Sequence, residues 1–251
     1  MIDERKVKTR LVEHGRKLFE APKEQIRFTK NDEADRLLND LAEHPHAFVL
    51  ACIMDRQIKA EKAWLIPYRF KQKLGDFSMG VLANLSEADM HRIMTDPEPL
   101  HRYTKKMSSY FFQGVARIRD VYGSNAANIW ADSSSSATVV YRFLEFEGVG
   151  PKIASMAANI LAREFKIKFS DYYSIDISAD VHVRRVFSRL GLTTSDASVE
   201  QLIFRARGLY PEFPGLMDFP AWEIGRNWCR PRTCACDKCY MADVCSTAQK
   251  V

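Results

Sequence analysis

The chain has 251 residues, with 37 Lys+Arg against 32 Asp+Glu, a net charge of +5, and 46% hydrophobic residues. That length and apolar content suit one large or two small domains with a sizeable core. Fifteen Phe and nine Tyr in a chain that is 27% charged exclude a disordered tail protein.

No apolar run approaches the roughly 18–20 residues that span a bilayer. The opening MIDERKVKTR carries charge but no apolar core of a secretory signal. The expected location is therefore the cytosol, without a membrane partner. A small positive excess permits a polyanionic partner without requiring one.

Nearly every segment has helical periodicity. Residues 4–20 place Val7, Leu11, Leu18 and Phe19 on one face among charges, and residues 33–42 do the same with Leu37, Leu38 and Leu41. His46 to Trp64 reads as one core helix that turns polar at Asp55, and Pro67, Pro97 and Pro99 punctuate the chain beyond it. Amphipathic helices are predicted over 86–94 and 100–122, the second carrying Met107, Tyr110, Phe111, Val115 and Ile118. The run Ser133–Ser136 is a loop, and helix resumes over about 137–145. Ile153, Met156, Ala157, Ile160 and Leu161 mark the next helix. Alternation of Phe165, Ile167 and Phe169 makes 164–178 the one stretch of expected extended chain. Residues 181–190 form a helix that Gly191 stops. The predicted class is all-α.

Between two of these helices stands Gly148-Val149-Gly150-Pro151-Lys152. Two glycines allow a tight reversal with positive φ, and proline suits the first helical position. Amides around such a turn form a phosphate site at a helix N-terminus, although a plain helix connection would use the same residues. Lys152 falls in the first helical turn, where the helix dipole disfavours a cation and favours a neutral, nucleophilic amine. A solvated or phosphate-contacting lysine is the plain alternative. Asp180, 28 residues later, directly precedes VHVRRVFSRL and is an N-cap whose carboxylate stays ionised. Capping alone would explain it. The functional alternative is stabilisation of a developing cation beside Lys152. His182 reads as a structural hydrogen-bonding residue, and Arg184, Arg185 and Arg189 as a solvated or phosphate-facing surface.

Five of the six cysteines crowd the final residues, and Cys229, Cys236, Cys239 and Cys245 read C-x6-C-x2-C-x5-C. Clustered cysteines in a chain without secretory features point to metal ligation. Four thiolates hold zinc or a [4Fe–4S] cluster equally well, and Cys234 falls outside the pattern.

The hairpin Gly148–Lys152, the motif Asp180-Val181-His182-Val183 and the cysteine spacing together resemble the helix-hairpin-helix DNA glycosylases of the endonuclease III type. Trp222-Glu223-Ile224-Gly225-Arg226, leading into Cys229, and Gln57 at the end of an early core helix extend the resemblance over about residues 30–245. It implies two helical domains with the active-site cleft between them. One is a six-helix barrel, 34–168, with its helix-hairpin-helix at about 142–163. The other is discontinuous, 1–33 and 169–251, and holds a [4Fe–4S] loop at 229–245.

The resemblance further implies a monomeric base excision repair enzyme, associated with the nucleoid, that acts on double-stranded DNA containing a damaged base or abasic site. Lys152 would attack C1′ of a flipped nucleotide and cut the strand by β-elimination, with Asp180 stabilising charge on the sugar. Gln57 would fill the gap in the duplex. Gly148, Val149, Gly150, Arg226, Arg230 and Arg232 would contact DNA, with Lys238 nearby, while the cluster braces a basic loop.

Two alternatives accompany this expectation. One is a monofunctional glycosylase for alkylated, deaminated or mismatched bases. The other is a non-catalytic iron–sulfur or zinc-stabilised DNA-binding protein. The gap from Lys152 to Asp180 exceeds the usual spacing of the family, which makes 164–178 an insertion and Asp176 a competing carboxylate. Tyr172 and Tyr173 in that insertion are expected to line the pocket.

Overall fold

The computed structural model describes residues 3–250 and is helical throughout, with no β-strand among the described residues. The helices are α1 (Glu4–Glu20), α2 (Asp32–Asn39), α3 (Pro45–Met54), α4 (Ala60–Trp64), α5 (Ile66–Leu74), α6 (Met79–Ala83) and α7 (Glu87–Thr95). They continue with α8 (Thr104–Val121), α9 (Ser136–Leu144), α10 (Pro151–Arg163), α11 (Val181–Arg189), α12 (Val199–Leu209) and α13 (Asp218–Asn227). None is long and apolar enough to cross a membrane. The chain divides into two units, one of residues 1–22, 135–140 and 158–251 and the other of 23–134 and 141–157. The chain changes unit at 22/23, 134/135, 140/141 and 157/158, the last two within α9 and α10.

In the unit of 23–134 and 141–157, α3 is apolar on every side and all ten of its residues are buried. A helix of that kind belongs in the middle of a core, and α2, α4, α5 and α8 pack around it. Phe70 stacks on Phe111 with ring centroids 4.3 Å apart, and Phe48 meets both Trp64 and Trp130. The buried His46 bonds the Phe77 carbonyl at 2.6 Å, and burial pushes its pKa down to about 4, so it is a neutral core residue. The expected single helix from His46 to Trp64 is two helices. The core pattern ends at Met54, and residues 55–59 form a turn in which Gln57 has φ +55°.

In the other unit, α11 packs along α13, and α1 lies against α13 and the 3₁₀ turn Pro214–Met217. Its core includes Val7 and Leu11 of α1, Val183, Val186 and Phe187 of α11, Leu202 and Ala206 of α12, and Ile224 of α13. The expected extended segment at 164–178 forms no strand, because no partner strand is present among the described residues to complete its ladder. Aromatic contacts hold it instead. Tyr172 stacks on Phe213 at 5.0 Å and meets Phe19 edge-on at 5.4 Å. Lys166 donates to the Phe19 carbonyl at 2.5 Å. Ser136 at the start of α9 bonds the Asp171 carboxylate.

Candidate active site

The hairpin that joins α9 to α10 is anchored from inside by Phe143, Phe146 and Val149, all buried. The Val149 amide donates to the Phe146 carbonyl at 2.9 Å and closes the turn. Gly148 has φ +82°, and a Cβ built there would stand 2.5 Å from the Tyr110 ring, so both backbone and space demand glycine. Gly150 differs from the expectation: it is outside the left-handed region, and a Cβ on it would meet nothing within 4 Å. Its carbonyl accepts from the Ile153 and Ala154 amides, both at 3.0 Å, and so opens α10. Lys152, in the first turn of α10, is exposed.

Arg56 is a residue of this region that sequence reasoning misses. Its guanidinium donates to the Gly148 carbonyl and lies 5.5 Å from the centre of the Tyr110 ring. Its own carbonyl bonds His101 Nε2 at 3.0 Å. The exposed Gln57 follows immediately. One side chain therefore ties the turn that presents Gln57 to the hairpin that presents Lys152. The only sequence signal is an arginine at the polar end of a core helix.

Asp180 caps α11 as its position predicts. Its Oδ1 accepts from the His182 and Val183 amides, both at 2.8 Å, which satisfies two of the otherwise unpaired donors of the first turn. Its rival Asp176 is engaged elsewhere: Arg207 donates to both of its carboxylate oxygens at 2.8 Å. His182 accepts from Arg185 at Nδ1, 3.0 Å, and meets the Trp222 ring edge-on, in line with a structural role.

Ser178, two residues before Asp180, donates through its amide at 2.6 Å and its hydroxyl at 2.8 Å to Oδ1 of Asp218. Asp218, the first residue of α13, is buried, and that burial pushes its pKa up to about 6 against the two Ser178 bonds. Asp180 adds a like charge that also raises it, and Arg163 lowers it. Nothing local in the sequence marks Asp218, because its partner lies 40 residues away. Of the tyrosines expected at a pocket, Tyr172 is taken up in the aromatic cluster and Tyr173 is 55% exposed.

The cysteine-rich loop is organised by arginines from α11 that the sequence alone assigns to a solvated or phosphate-facing surface. Arg185 donates to the carbonyls of Cys229 at 2.7 Å and Gly225 at 2.8 Å. Arg189 donates to the carbonyls of Arg230 at 2.7 Å and Pro231 at 2.9 Å, and to the sulfurs of Cys229 at 3.2 Å and Cys234 at 3.1 Å. Arg184 bonds the Ala197 carbonyl. Arg185 and Arg189 thus satisfy backbone carbonyls at the start of the loop, while Arg184 serves a different part of the chain.

Cys229, Cys234, Cys236, Cys239 and Cys245 line one cavity together with Arg189 and Trp228. Burial raises the thiols of Cys229, Cys236 and Cys239 above the usual range, while the Arg189 guanidinium pulls Cys229 back down. The donor set fits a thiolate-ligated metal group in kind and in neighbourhood. As placed, no three His, Cys, Asp or Glu side chains among the described residues converge on one ion position. Arg226, Arg230, Arg232 and Lys238 are exposed, and Arg226 lies 5.0 Å from the centre of the Trp222 ring.

No family model and no curated protein matches the chain. Solved structures do. A non-covalent endonuclease III–DNA complex aligns with a TM-score of 0.64 at 16% identity, covering 100% of this chain and 98% of that one. A thermostable thymine-DNA glycosylase gives 0.65 at 14% identity, covering 98% of each chain. The 8-oxoguanine glycosylase/lyase of Clostridium acetobutylicum, in complex with double-stranded DNA, gives 0.56 at 16% identity over 84% of this chain and 72% of that one. The chain has the all-helical fold of the helix-hairpin-helix DNA glycosylases.

The hairpin geometry makes Gly148→Ala a direct stability test. The substitution should lower unfolding stability by about 2 kcal/mol, through left-handed strain and the Tyr110 clash. An unchanged melting temperature would contradict the hairpin as described.

Asp218 gives a pH-dependent test, because its folded-state pKa of about 6 lies above the ordinary carboxylate value. The folded protein then holds this proton more firmly than the unfolded chain, so its stabilising effect is complete below pH ~4 and lost as pH rises to ~6. The loss is about 3 kcal/mol. Asp218→Asn should therefore gain stability over the parent between pH 4 and pH 7 in calorimetric scans. A constant difference across that range would remove the buried carboxylate as its cause.

Proposed function

We propose that the protein is a base excision repair DNA glycosylase that removes a damaged base from duplex DNA and cleaves the abasic site through a lysine Schiff base. The observation that carries this reading is Lys152, exposed in the first turn of the helix after the Gly148 hairpin, in a chain of the endonuclease III fold. Chemistry at a glycosidic bond needs the nucleotide out of the stack. Gln57, on an exposed left-handed turn braced by Arg56, would occupy the vacated position. The open backbone at Gly150, with Gly148 and Val149, would let a phosphate approach the amides at the start of α10.

Lys152 in its neutral form would attack C1′ of the flipped nucleotide. The C1′–N bond to the lysine forms as the bond to the base breaks, and the base leaves with the bonding pair and takes up a proton. Loss of a proton from the amine and ring opening give the imine. Removal of a C2′ proton then expels the 3′ phosphate. Asp180, its carboxylate fixed by two amides, would stabilise the positive charge that develops on the sugar. Asp176 is the weaker candidate because Arg207 already holds both its oxygens.

Cys229, Cys236, Cys239 and Cys245 would hold a [4Fe–4S] cluster, with Cys234 outside the set. When bound, that group would supply structural bracing and no proton or nucleophile. Arg226, Arg230, Arg232 and Lys238 around the loop would contact phosphates. A second reading is a monofunctional glycosylase that excises the base with water, Asp180 acting on the water. The match to a thymine-DNA glycosylase along nearly the full length of both chains favours keeping it.

Incubation with a duplex carrying one abasic site, followed by borohydride, should give a covalent protein–DNA adduct that Lys152→Ala abolishes. Base excision without any adduct would replace the lyase reading with the monofunctional one. Protein purified without oxygen should be brown and contain iron and acid-labile sulfide in equal amounts. Cys239→Ser should lose both. A colourless protein containing zinc would overturn the iron–sulfur assignment.

A further inference from the structure

Two carboxylates are buried among the described residues, Asp35 and Asp218. Asp35 is explained locally, since it accepts the amide at 2.9 Å and the hydroxyl at 2.8 Å of Thr29 and steadies the loop before α2. Asp218 reaches a distant part of the chain, the turn that enters α11.

That turn has no regular structure of its own. Residues 175–180 are irregular, and Ala179 has φ +45°, a left-handed conformation unfavourable for a residue with a Cβ. Such a conformation persists only where the surroundings hold it. Here Arg207 of α12 grips Asp176 within the turn, and one short stretch, residues 214–218, grips the residues on either side of it. The Gly215 amide donates to the Ile175 carbonyl at 2.7 Å. Glycine is required there, because a Cβ would stand 2.7 Å from both the Ile175 carbonyl oxygen and its side chain. Three residues on, Asp218 receives the Ser178 amide and hydroxyl at 2.6 and 2.8 Å. Ile175 and Ser178 are thus fastened on either side of two residues, and the chain passes from Ser178 through the strained Ala179 to Asp180. The Asp180 carboxylate then spends Oδ1 on the first amides of α11, and its Oδ2 takes no hydrogen bond among the described residues.

We propose that Asp218 is the positioning residue for Asp180: by holding Ser178 it keeps Ala179 left-handed and so aims the free oxygen of the Asp180 carboxylate. The proposal rests on the reading that Asp180 acts at the sugar. The charged groups that bear on Asp218 are Asp180 itself, on the turn, and Arg163, at the end of α10. Arg163 is also paired with Glu164 at 2.7 Å and lies over the Phe219 ring at 4.1 Å, so its charge is shared. A carboxylate kept in so buried a place gains its two strong Ser178 bonds at the expense of desolvation. Asparagine at 218 would offer one carbonyl oxygen to the same two donors without the charge.

The test compares Asp218→Ala and Asp218→Asn in the full chain with two readouts. The first is amide hydrogen exchange at Ser178, His182 and Val183. The second is the single-turnover rate of borohydride-trappable adduct on an abasic duplex at saturating protein, alongside DNA affinity. Asp218→Ala should speed exchange at all three amides and slow the single-turnover rate by on the order of tenfold or more, with DNA affinity within about twofold of the parent. Asp218→Asn should restore the exchange pattern and most of the rate.

Parent-like exchange at His182 and Val183 in a folded Asp218→Ala protein would overturn the proposal. So would an Asp218→Asn protein with parent-like exchange whose rate is as low as that of Asp218→Ala, because charge rather than position would then matter. If Asp218→Ala fails to fold, the Asp218→Asn comparison still decides, since its restored exchange and rate are required. Absence of any adduct with the parent protein would sink the lysine reading alone, and the exchange measurements would still decide the role of Asp218.

Discussion

The first amides of a helix have no partners inside it, and in this all-helical chain the candidate chemistry is gathered where those amides are exposed. α10 begins at the Gly150 carbonyl, with Lys152 in its first turn. α11 begins at the Asp180 carboxylate, which takes two amides on one oxygen. α13 begins with Asp218, whose carboxylate holds the turn into α11. Gly148 is the residue that left-handed backbone pressed against Tyr110 calls for, but the other two starts carry features local sequence preference would not choose: the left-handed Ala179 and the buried charge of Asp218. Packing around these starts supplies what the backbone loses, as is usual where strain accompanies function.

α11 also joins the Asp180 turn to the cysteine loop within one unit. Arg185 and Arg189 donate to carbonyls on the Cys229 side of the loop. At the far end of the loop, Ser246 and Thr247 donate through their hydroxyls to the Arg189 carbonyl at 2.6 and 2.9 Å. Both ends of the loop therefore close on the last turn of α11. In the proposed function the cluster would do no chemistry, yet its loop shares a nine-residue helix with Asp180. The close approach of α11 to α13 fits the same frame, because a Cβ at Gly225 would stand 2.8 Å from that of His182. A bracing role for the loop thus has a route through named contacts to the position of the proposed carboxylate.

What is legible in the sequence is periodic or adjacent. The helical class, the 4–20 helix, the hairpin and the capping place of Asp180 all depend on neighbours within a few residues. The break after Met54 escapes because a helix that turns polar and a helix that ends have the same hydropathy. The left-handed Gln57 gives no signal in residue type. Arg56, Arg189 and Asp218 are illegible for another reason: each acts on a backbone group about 40 residues away or farther. An arginine that will satisfy a buried carbonyl cannot be told, in sequence, from one that will meet solvent or phosphate. The two glycines of the hairpin read alike, and only the structure separates Gly148, which needs left-handed backbone, from Gly150, which leaves open space.

The long spacing between Lys152 and Asp180 bears on how far the fold can be varied without moving its helix starts. Segment 164–178 looks in sequence like a strand inserted at a sensitive place. In the structure it is tied down along its length: Lys166 to the Phe19 carbonyl, Asp171 to Ser136, Tyr172 into Phe19 and Phe213, and Ile175 to the Gly215 amide. All of these partners lie in the same unit as Asp180. The segment is therefore tied down before the chain reaches Ser178, and the turn that presents Asp180 is held by Gly215 and Asp218, with Arg207 on Asp176. That arrangement explains why Asp180 rather than Asp176 keeps the capping place despite its longer distance from Lys152. Residue count is measured along the chain, whereas the carboxylate is placed by the helix it caps and the clamp that feeds it.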